Sequence, residues 1–180
     1  MFIGIAMNDK QMLIAFIGFR GTGKTTVATL LGDKIGYQVF STDRVIEMQE
    51  GKTIAEIVTQ NGWEYFRNVE SEILHSALHN KNTIIDCGGG IVLRELNRTL
   101  LKKNASLVIW MNAGVETIEQ RIAGDANRIR FDSEKKLREE IIEELASREI
   151  FYQQLATHTF NSSKESAETI AEKIYLLIHQ

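Results

Sequence analysis

The chain has 180 residues, of which 43% are hydrophobic and 25% charged, and a formal net charge of −3. That length suits one domain, 1–180, whose core needs no covalent staples, and the slight negative charge excludes a general attraction to nucleic acid or to an anionic membrane. The single cysteine, Cys87, excludes an internal disulfide framework and suits a reducing compartment, and no apolar run approaches the roughly 20 residues that span a bilayer.

Residues 1–11 begin apolar but carry no basic leader and no convincing cleavage site, so they read as an extension on a cytoplasmic protein. From Met12 to Ile17 an apolar run predicts a short buried strand, and beyond Thr25 the residues Val27, Leu30, Leu31 and Ile35 recur at helical spacing. Between strand and helix stands Gly18-Phe19-Arg20-Gly21-Thr22-Gly23-Lys24-Thr25, which fits G-x-x-x-x-G-K-[ST] in the context that makes that pattern a phosphate site. Its glycines let successive backbone N–H groups converge on one anion, and the positive end of the following helix adds to that field. Gly21, Thr22, Gly23, Lys24, Thr25 and Thr26 are therefore candidates for binding a nucleoside triphosphate, ATP, with Lys24 at the terminal phosphates and the Thr25 hydroxyl on Mg²⁺.

Tyr37 to Phe40 predicts a second strand, ending at Ser41-Thr42-Asp43. Thr53 and Glu56 have capping-box spacing and predict a helix that closes near Gly62. A longer helix follows, with Phe66, Val69, Ile73, Leu74 and Ala77 on one face and Glu64, Arg67 and Glu70 on an exposed one. Thr83 to Cys87 is a third strand running into Gly88-Gly89-Gly90. Leu93, Leu96, Leu100 and Leu101 predict a helix, and the continuous run Ser106 to Met111 a strand covered on both faces. Val115, Ile118 and Ile122 mark a helix ending at Gly124. Arg128 and Arg130 stand in a polar segment, which is followed by a helix capped by Ser133 and carrying Leu137, Ile141, Leu145 and Leu155. His158 to Asn161 is a weak strand, and Ser162 with Glu165 is a second capping-box candidate before a closing helix. The alternation predicts an α/β three-layer fold with a mostly parallel sheet, whose ligands sit beyond the carboxyl ends of the strands.

The order of these motifs resembles shikimate kinase from about Met12 onward. The matching pieces are Gly18 to Thr25, Thr42-Asp43, Phe66-Arg67 with Glu70, Gly88-Gly89-Gly90, and Arg148 followed by Tyr152. The resemblance implies a five-stranded sheet in the order 2-3-1-4-5, a substrate-binding helical segment over 43–81 and a lid over 124–133, both of them moving parts. It implies transfer of the ATP γ-phosphate to the 3-hydroxyl of shikimate by a monomer, with no nucleic acid or membrane partner. In that reading Asp43 grips the acceptor hydroxyl, Arg67 and Arg148 hold the substrate carboxylate, and Gly88, Gly89 and Gly90 approach the ring. Arg128 closes over the triphosphate and Arg121 lies near adenine, although Arg130 competes with Arg128 for the lid role.

Each residue also has a plainer reading. Asp43 can cap a helix, Arg67 can pair with Glu64 or Glu70 on a solvated face, and Arg121 can be a helix-end arginine. The family usually has two aspartates flanking one residue after the second strand, and here the first is Ser41. Asp86, ending the third strand, is therefore expected to take over the Mg²⁺ role beside Thr25; its plainer reading is a buried carboxylate satisfied by the backbone or by Lys24. Asn97 and Arg98 receive no role. A kinase for another hydroxylated acid such as gluconate, and a nucleotide-binding regulator without catalysis, remain alternatives.

Overall fold

A computed structural model describes residues 12–123 and 136–179. Five strands form one parallel sheet in the order β2-β3-β1-β4-β5, as expected. They are β1 (Leu13–Ile17), β2 (Gln38–Ser41), β3 (Thr83–Asp86), β4 (Leu107–Asn112) and β5 (His158–Asn161). The central strand β1 is buried at all five positions, which is why it reads as an unbroken apolar run. Between the strands run α1 (Lys24–Ile35), α2 (Thr42–Glu50), α3 (Ile54–Ala77), α4 (Glu95–Asn104), α5 (Val115–Ile122), α6 (Leu137–Leu155) and α7 (Ala167–Ile178).

Strand alternation divides the core into two layers. Leu13, Ala15, Ile17, Ile85, Val108 and Trp110 face α3, α4 and α6, where they meet Leu74, Leu101, Tyr152 and Leu155. Ile14, Phe16, Ile84, Ile109 and Met111 face α1 and α7, against Val27, Leu31, Ile170 and Ile174. The same alternation turns Asp86, two residues after Ile84, toward the layer of α1. A smaller apolar cluster under α2 and α3 joins Ile46, Ile57, Phe66, Val69 and Ile73.

The break expected at Gly62 is present: α3 is two helical segments that meet at a kink, where Gly62 takes the non-helical φ 82° and ψ 167°. Its Thr53–Glu56 capping box is present as expected. Several expectations are corrected. The face carrying Glu64, Arg67 and Glu70 is not uniformly solvated, because Glu70 is fully buried and the Arg67 side chain is 11% exposed. Leu93 belongs to a separate 3-10 turn, Ile91–Leu93, and Leu96 lies exposed, so α4 begins only at Glu95. Ser162 does not cap α7; Ser166 does, accepting from the Thr169 N–H. Ser133 and Gly124 lie outside the described residues.

Ile109 has no exposed surface in β4, the neighbour of the central strand. Ile109→Ala is expected to destabilise the protein by about 3 kcal/mol, through lost burial and the cavity left behind, measured as a lower urea midpoint at unchanged slope.

Candidate active site

The phosphate loop leaves β1 through Gly18, whose φ of 138° and tight surroundings admit no other residue: a Cβ there would lie 2.2 Å from the carbonyl oxygen of Met111 on β4. α1 starts at Lys24 with Gly23 as its cap and no side-chain bond to its first N–H groups, which remain available to an anion. Lys24 is 8% exposed, and its Nζ donates to the carbonyls of Gly18 (2.9 Å) and Phe19 (3.0 Å). The loop's shape is fastened by Thr22 Oγ1 donating to the Phe19 carbonyl at 2.6 Å.

The Thr25 hydroxyl donates to Oδ2 of Asp86 at 2.6 Å across the gap between α1 and β3. Asp86 Oδ1 is buried without a hydrogen-bond partner, and Lys24 bonds to loop carbonyls rather than to this carboxylate. The expected alternative, an aspartate satisfied by the backbone or by Lys24, is not what the structure holds. Ser41 lies in register with Asp86 on the neighbouring strand.

Beyond β3 the glycine triplet is a point of close approach rather than a permissive turn. A Cβ on Gly88 would lie 2.4 Å from Asp43 Oδ1, and one on Gly90 would lie 2.1 Å from Arg67 Nη2. Asp43 sits in the first turn of α2, whose cap is Ser41, so it does not cap the helix. Thr42 fixes it from beneath: its hydroxyl accepts from the Gly88 N–H at 2.8 Å and reaches the Asp86 carbonyl at 3.4 Å. Burial pushes the Asp43 carboxyl up from its ordinary 3.8 to about 7; the negative charges of Glu70 and Asp86 push the same way, and Lys24 and Arg67 oppose them. The Glu70 carboxyl is raised by burial against the lowering pull of Arg67 and Arg148.

Arg67 donates to Glu70 at 2.5 Å, and its guanidinium also lies over the rings of Trp63 (5.3 Å) and Phe66 (4.9 Å). On α6, Arg148 is 4% exposed, paired with Glu144, and stacked over Phe19 at 5.5 Å. Burial holds its guanidinium below the usual range; Tyr152 raises it, while positive Arg67 and Arg20 lower it further. Tyr152 lies fully buried, stacks on Trp110 at 5.9 Å and donates to the Gly89 carbonyl at 2.5 Å, tying the triplet to α6.

An open cleft of about 1060 Å³ runs along this rim. It is lined by Gly21, Gly23, Lys24, Thr25 and Thr26, by Asp43, Asp86 and Gly89, and by Arg121. Arg121 donates to the Gly21 carbonyl (3.0 Å) and to both oxygens of Ser162, bracing the phosphate loop from the side of β5. Neither Arg67 nor Arg148 lines this cleft; Arg67 lies against Gly90 at the end of the glycine triplet. Arg128 and Arg130 lie outside the described residues.

Sequence reasoning missed four contributors. Thr42 orients the turn beside Asp43, and Ser162 bonds the Thr22 carbonyl at 2.8 Å. Asn97 and Arg98 fasten the 3-10 turn after the triplet by donating to the carbonyls of Ile91, Val92 and Leu93. Only Thr42, adjoining Asp43 after a strand, had a local signal.

The family model described as shikimate kinase matches residues 20–179. The chain belongs to the shikimate kinase family. Within that family it is 38% identical over 161 residues to a shikimate kinase of Dehalococcoides mccartyi, covering 89% of this chain and 90% of the relative. It superimposes on shikimate kinase from Acinetobacter baumannii in complex with shikimate with a TM-score of 0.88 and 30% identity, covering 94% of this chain and 93% of that one. Deoxyadenosine kinase from M. mycoides with bound dATP, at a TM-score of 0.63 and 18% identity, shares the fold alone.

A carboxyl raised to about 7 binds its proton in the folded chain but not in the unfolded one between pH 4 and 7, so Asp43 makes stability fall as pH rises through that window. Asp43→Asn is expected to stabilise the ligand-free protein at pH 8 by about 2 kcal/mol, a figure reduced for the partial exposure of this residue, and to leave it unchanged at pH 4. Urea unfolding at the two pH values measures both.

Proposed function

We propose that this chain is an ATP-dependent kinase that transfers the γ-phosphate of ATP to the 3-hydroxyl of shikimate, giving shikimate 3-phosphate and ADP in aromatic amino-acid biosynthesis. The observation that carries the reading is the meeting, in one cleft, of a phosphate loop and the half-buried carboxylate of Asp43, beside a glycine triplet that abuts Arg67. Lys24 and the loop N–H groups neutralise the phosphates, and Asp43 accepts the hydrogen bond of the attacking hydroxyl and aligns it. Its raised pKa near neutrality suits a group that takes up a proton as the new bond forms. Arg67, oriented by Glu70, and Arg148 clasp the ring carboxylate through their planar forks. Gly88, Gly89 and Gly90 let the ring come close; side chains on Gly88 and Gly90 would occupy space taken by Asp43 and Arg67, and one on Gly89 would press on the phosphate-loop backbone.

Arg121 borders the nucleotide end of the cleft, and Arg128 is assigned to the lid over 124–133, with the helical segment 43–81 as the acceptor-binding part of a single domain, 1–180. The enzyme is assigned to the cytoplasm as a monomer. No helix among the described residues is long and apolar enough to cross a membrane.

Magnesium is the expected partner of the triphosphate. The oxygens available fit it: a Thr25 hydroxyl beside a buried carboxylate with one unsatisfied oxygen, Asp86 Oδ1. Among the described residues no cluster of three or more acidic, histidine or cysteine side chains forms a cage, which suits an ion that keeps waters and phosphate oxygens. Thr25 and Asp86 would hold the ion, directly or through water, and the ion would neutralise negative charge on the phosphates. In this arrangement Asp86 fills the position for which Ser41 offers no charge. Asp86→Ala is expected to abolish the Mg²⁺-dependent tightening of ATP binding, read by calorimetric titration with and without Mg²⁺, while Ser41→Ala leaves it intact. Equal, small effects would remove Asp86 from the metal site.

The function is tested by ADP release in a coupled assay with shikimate, with gluconate and with neither. Release that depends on shikimate is expected. Turnover of gluconate alone would select another acid kinase, and ATP binding without product would select a regulator. Gly90→Ala, by displacing Arg67, is expected to raise the KM for shikimate about tenfold or more and to leave the KM for ATP within about threefold.

A further inference from the structure

One cation in the phosphate loop has no part in the reading above. Arg20 is the third residue of the loop, lines the cleft, and has a side chain 27% exposed. At its inner edge it donates to Oε1 of Glu140, 2% exposed on α6, at 3.0 Å. Glu140, Glu144 and Arg148 follow one another at intervals of four and form a single stripe of α6, turned toward the loop. Phe19 fills the space between loop and stripe. The Arg20 guanidinium lies 5.7 Å from the centre of its ring and that of Arg148 lies 5.5 Å from the same centre. A cation of the phosphate loop and a cation of α6 therefore share one buried aromatic ring, each within about 6 Å of its centre. Consistent with that geometry, Arg20 is among the positive charges that depress Arg148, after burial and Arg67.

Two anions seated side by side in a site partly shielded from water repel each other strongly, and a fixed positive charge at their boundary offsets that repulsion. Arg20 occupies such a boundary, and Glu140 anchors it there. We propose that Arg20 is a counter-charge shared by the two anionic ligands, offsetting the repulsion between the polyphosphate of the nucleotide and the carboxylate of the acceptor so that the two are bound together. This rests on the proposed transfer from a nucleoside triphosphate to an acidic acceptor. A residue in this position contributes little when either ligand is bound alone, since Lys24 serves one anion and Arg67 with Arg148 the other. It contributes most when both are present.

The test is calorimetric titration of shikimate into the full chain, first alone and then at saturating ADP. The ratio of the two dissociation constants is the coupling between the sites, and the reverse titration of ADP with and without shikimate must return the same ratio. Arg20→Gln, which removes the charge, is expected to bind shikimate alone within about threefold of the unaltered protein and to lose about tenfold or more of its affinity when ADP is present. Arg20→Lys, which keeps the charge, is expected to stay within about threefold in both titrations. The proposal is overturned if Arg20→Gln weakens shikimate equally with and without ADP, if it changes neither titration, or if Arg20→Lys behaves as Arg20→Gln does. Uptake of ADP but no shikimate by the unaltered protein would instead overturn the proposed function, and the shared counter-charge with it.

Discussion

Everything at the site follows from the burial of β1. A strand with all five positions inside the protein must be covered on both faces, and β1 meets this at the centre of a parallel sheet between two layers of helices. Its carboxyl end then opens onto the middle of the rim, with β3 on one side and β4 on the other. The phosphate loop has no other place to go. The loops after β2 and β3 emerge beside it, which is why Asp43, Asp86 and Gly89 line the same cleft as the phosphate loop. The approach is close enough that Gly18 nearly touches the Met111 carbonyl of β4.

The rim is built of charges that do not serve the fold. Asp43 is held near neutrality by its own burial, Glu70 and Asp86 each keep a buried oxygen without a partner, and Arg148 sits beside other guanidinium groups. Unsatisfied or repelling groups of this kind destabilise a folded chain, and their concentration along one edge is the ordinary mark of a site prepared for ligands. The surrounding clamps are correspondingly dense. Thr42, Asn97, Arg98, Tyr152 and Ser162 each bond a backbone group of a loop at this edge. In the proposed reaction, alignment and charge neutralisation do most of the work, and these bonds set the alignment before any substrate arrives.

Much of this architecture was readable in the chain because local and global signals agree. Strand runs such as Leu107 to Met111, the helix spacing after Lys24 and the Thr53–Glu56 box each have one physical solution, and the structure adopts it. What failed failed for a common reason: α3 and α6 turn charged residues inward. Glu70 and Arg67 read as a solvated face, because i, i+3 pairs of opposite charge on a surface helix look the same as a buried pair facing a ligand. Glu140 and Arg148 on α6 have the same ambiguity, and the apolar residues of that helix mark only part of its buried side. Ser162 offered a capping pattern that Ser166 fulfilled instead, and its hydroxyl was left to brace the phosphate loop. Contacts made across 50 to 140 residues leave no local trace in the chain.

The register between β2 and β3 has a further consequence. Ser41 and Asp86 are paired across adjacent parallel strands, one at the end of each, so they stand at equal height above the sheet's edge. Parallel strands lie about 4.8 Å apart, and a water molecule or a bound ion easily bridges that interval. A carboxylate lost from one strand tip can therefore be replaced from its neighbour without shifting either backbone. Enzymes built on such sheets can migrate a negative charge sideways through evolution while the cavity it serves stays put. If the proposed metal site is right, sequence columns compared one position at a time would record two unrelated changes for what is a single substitution in space.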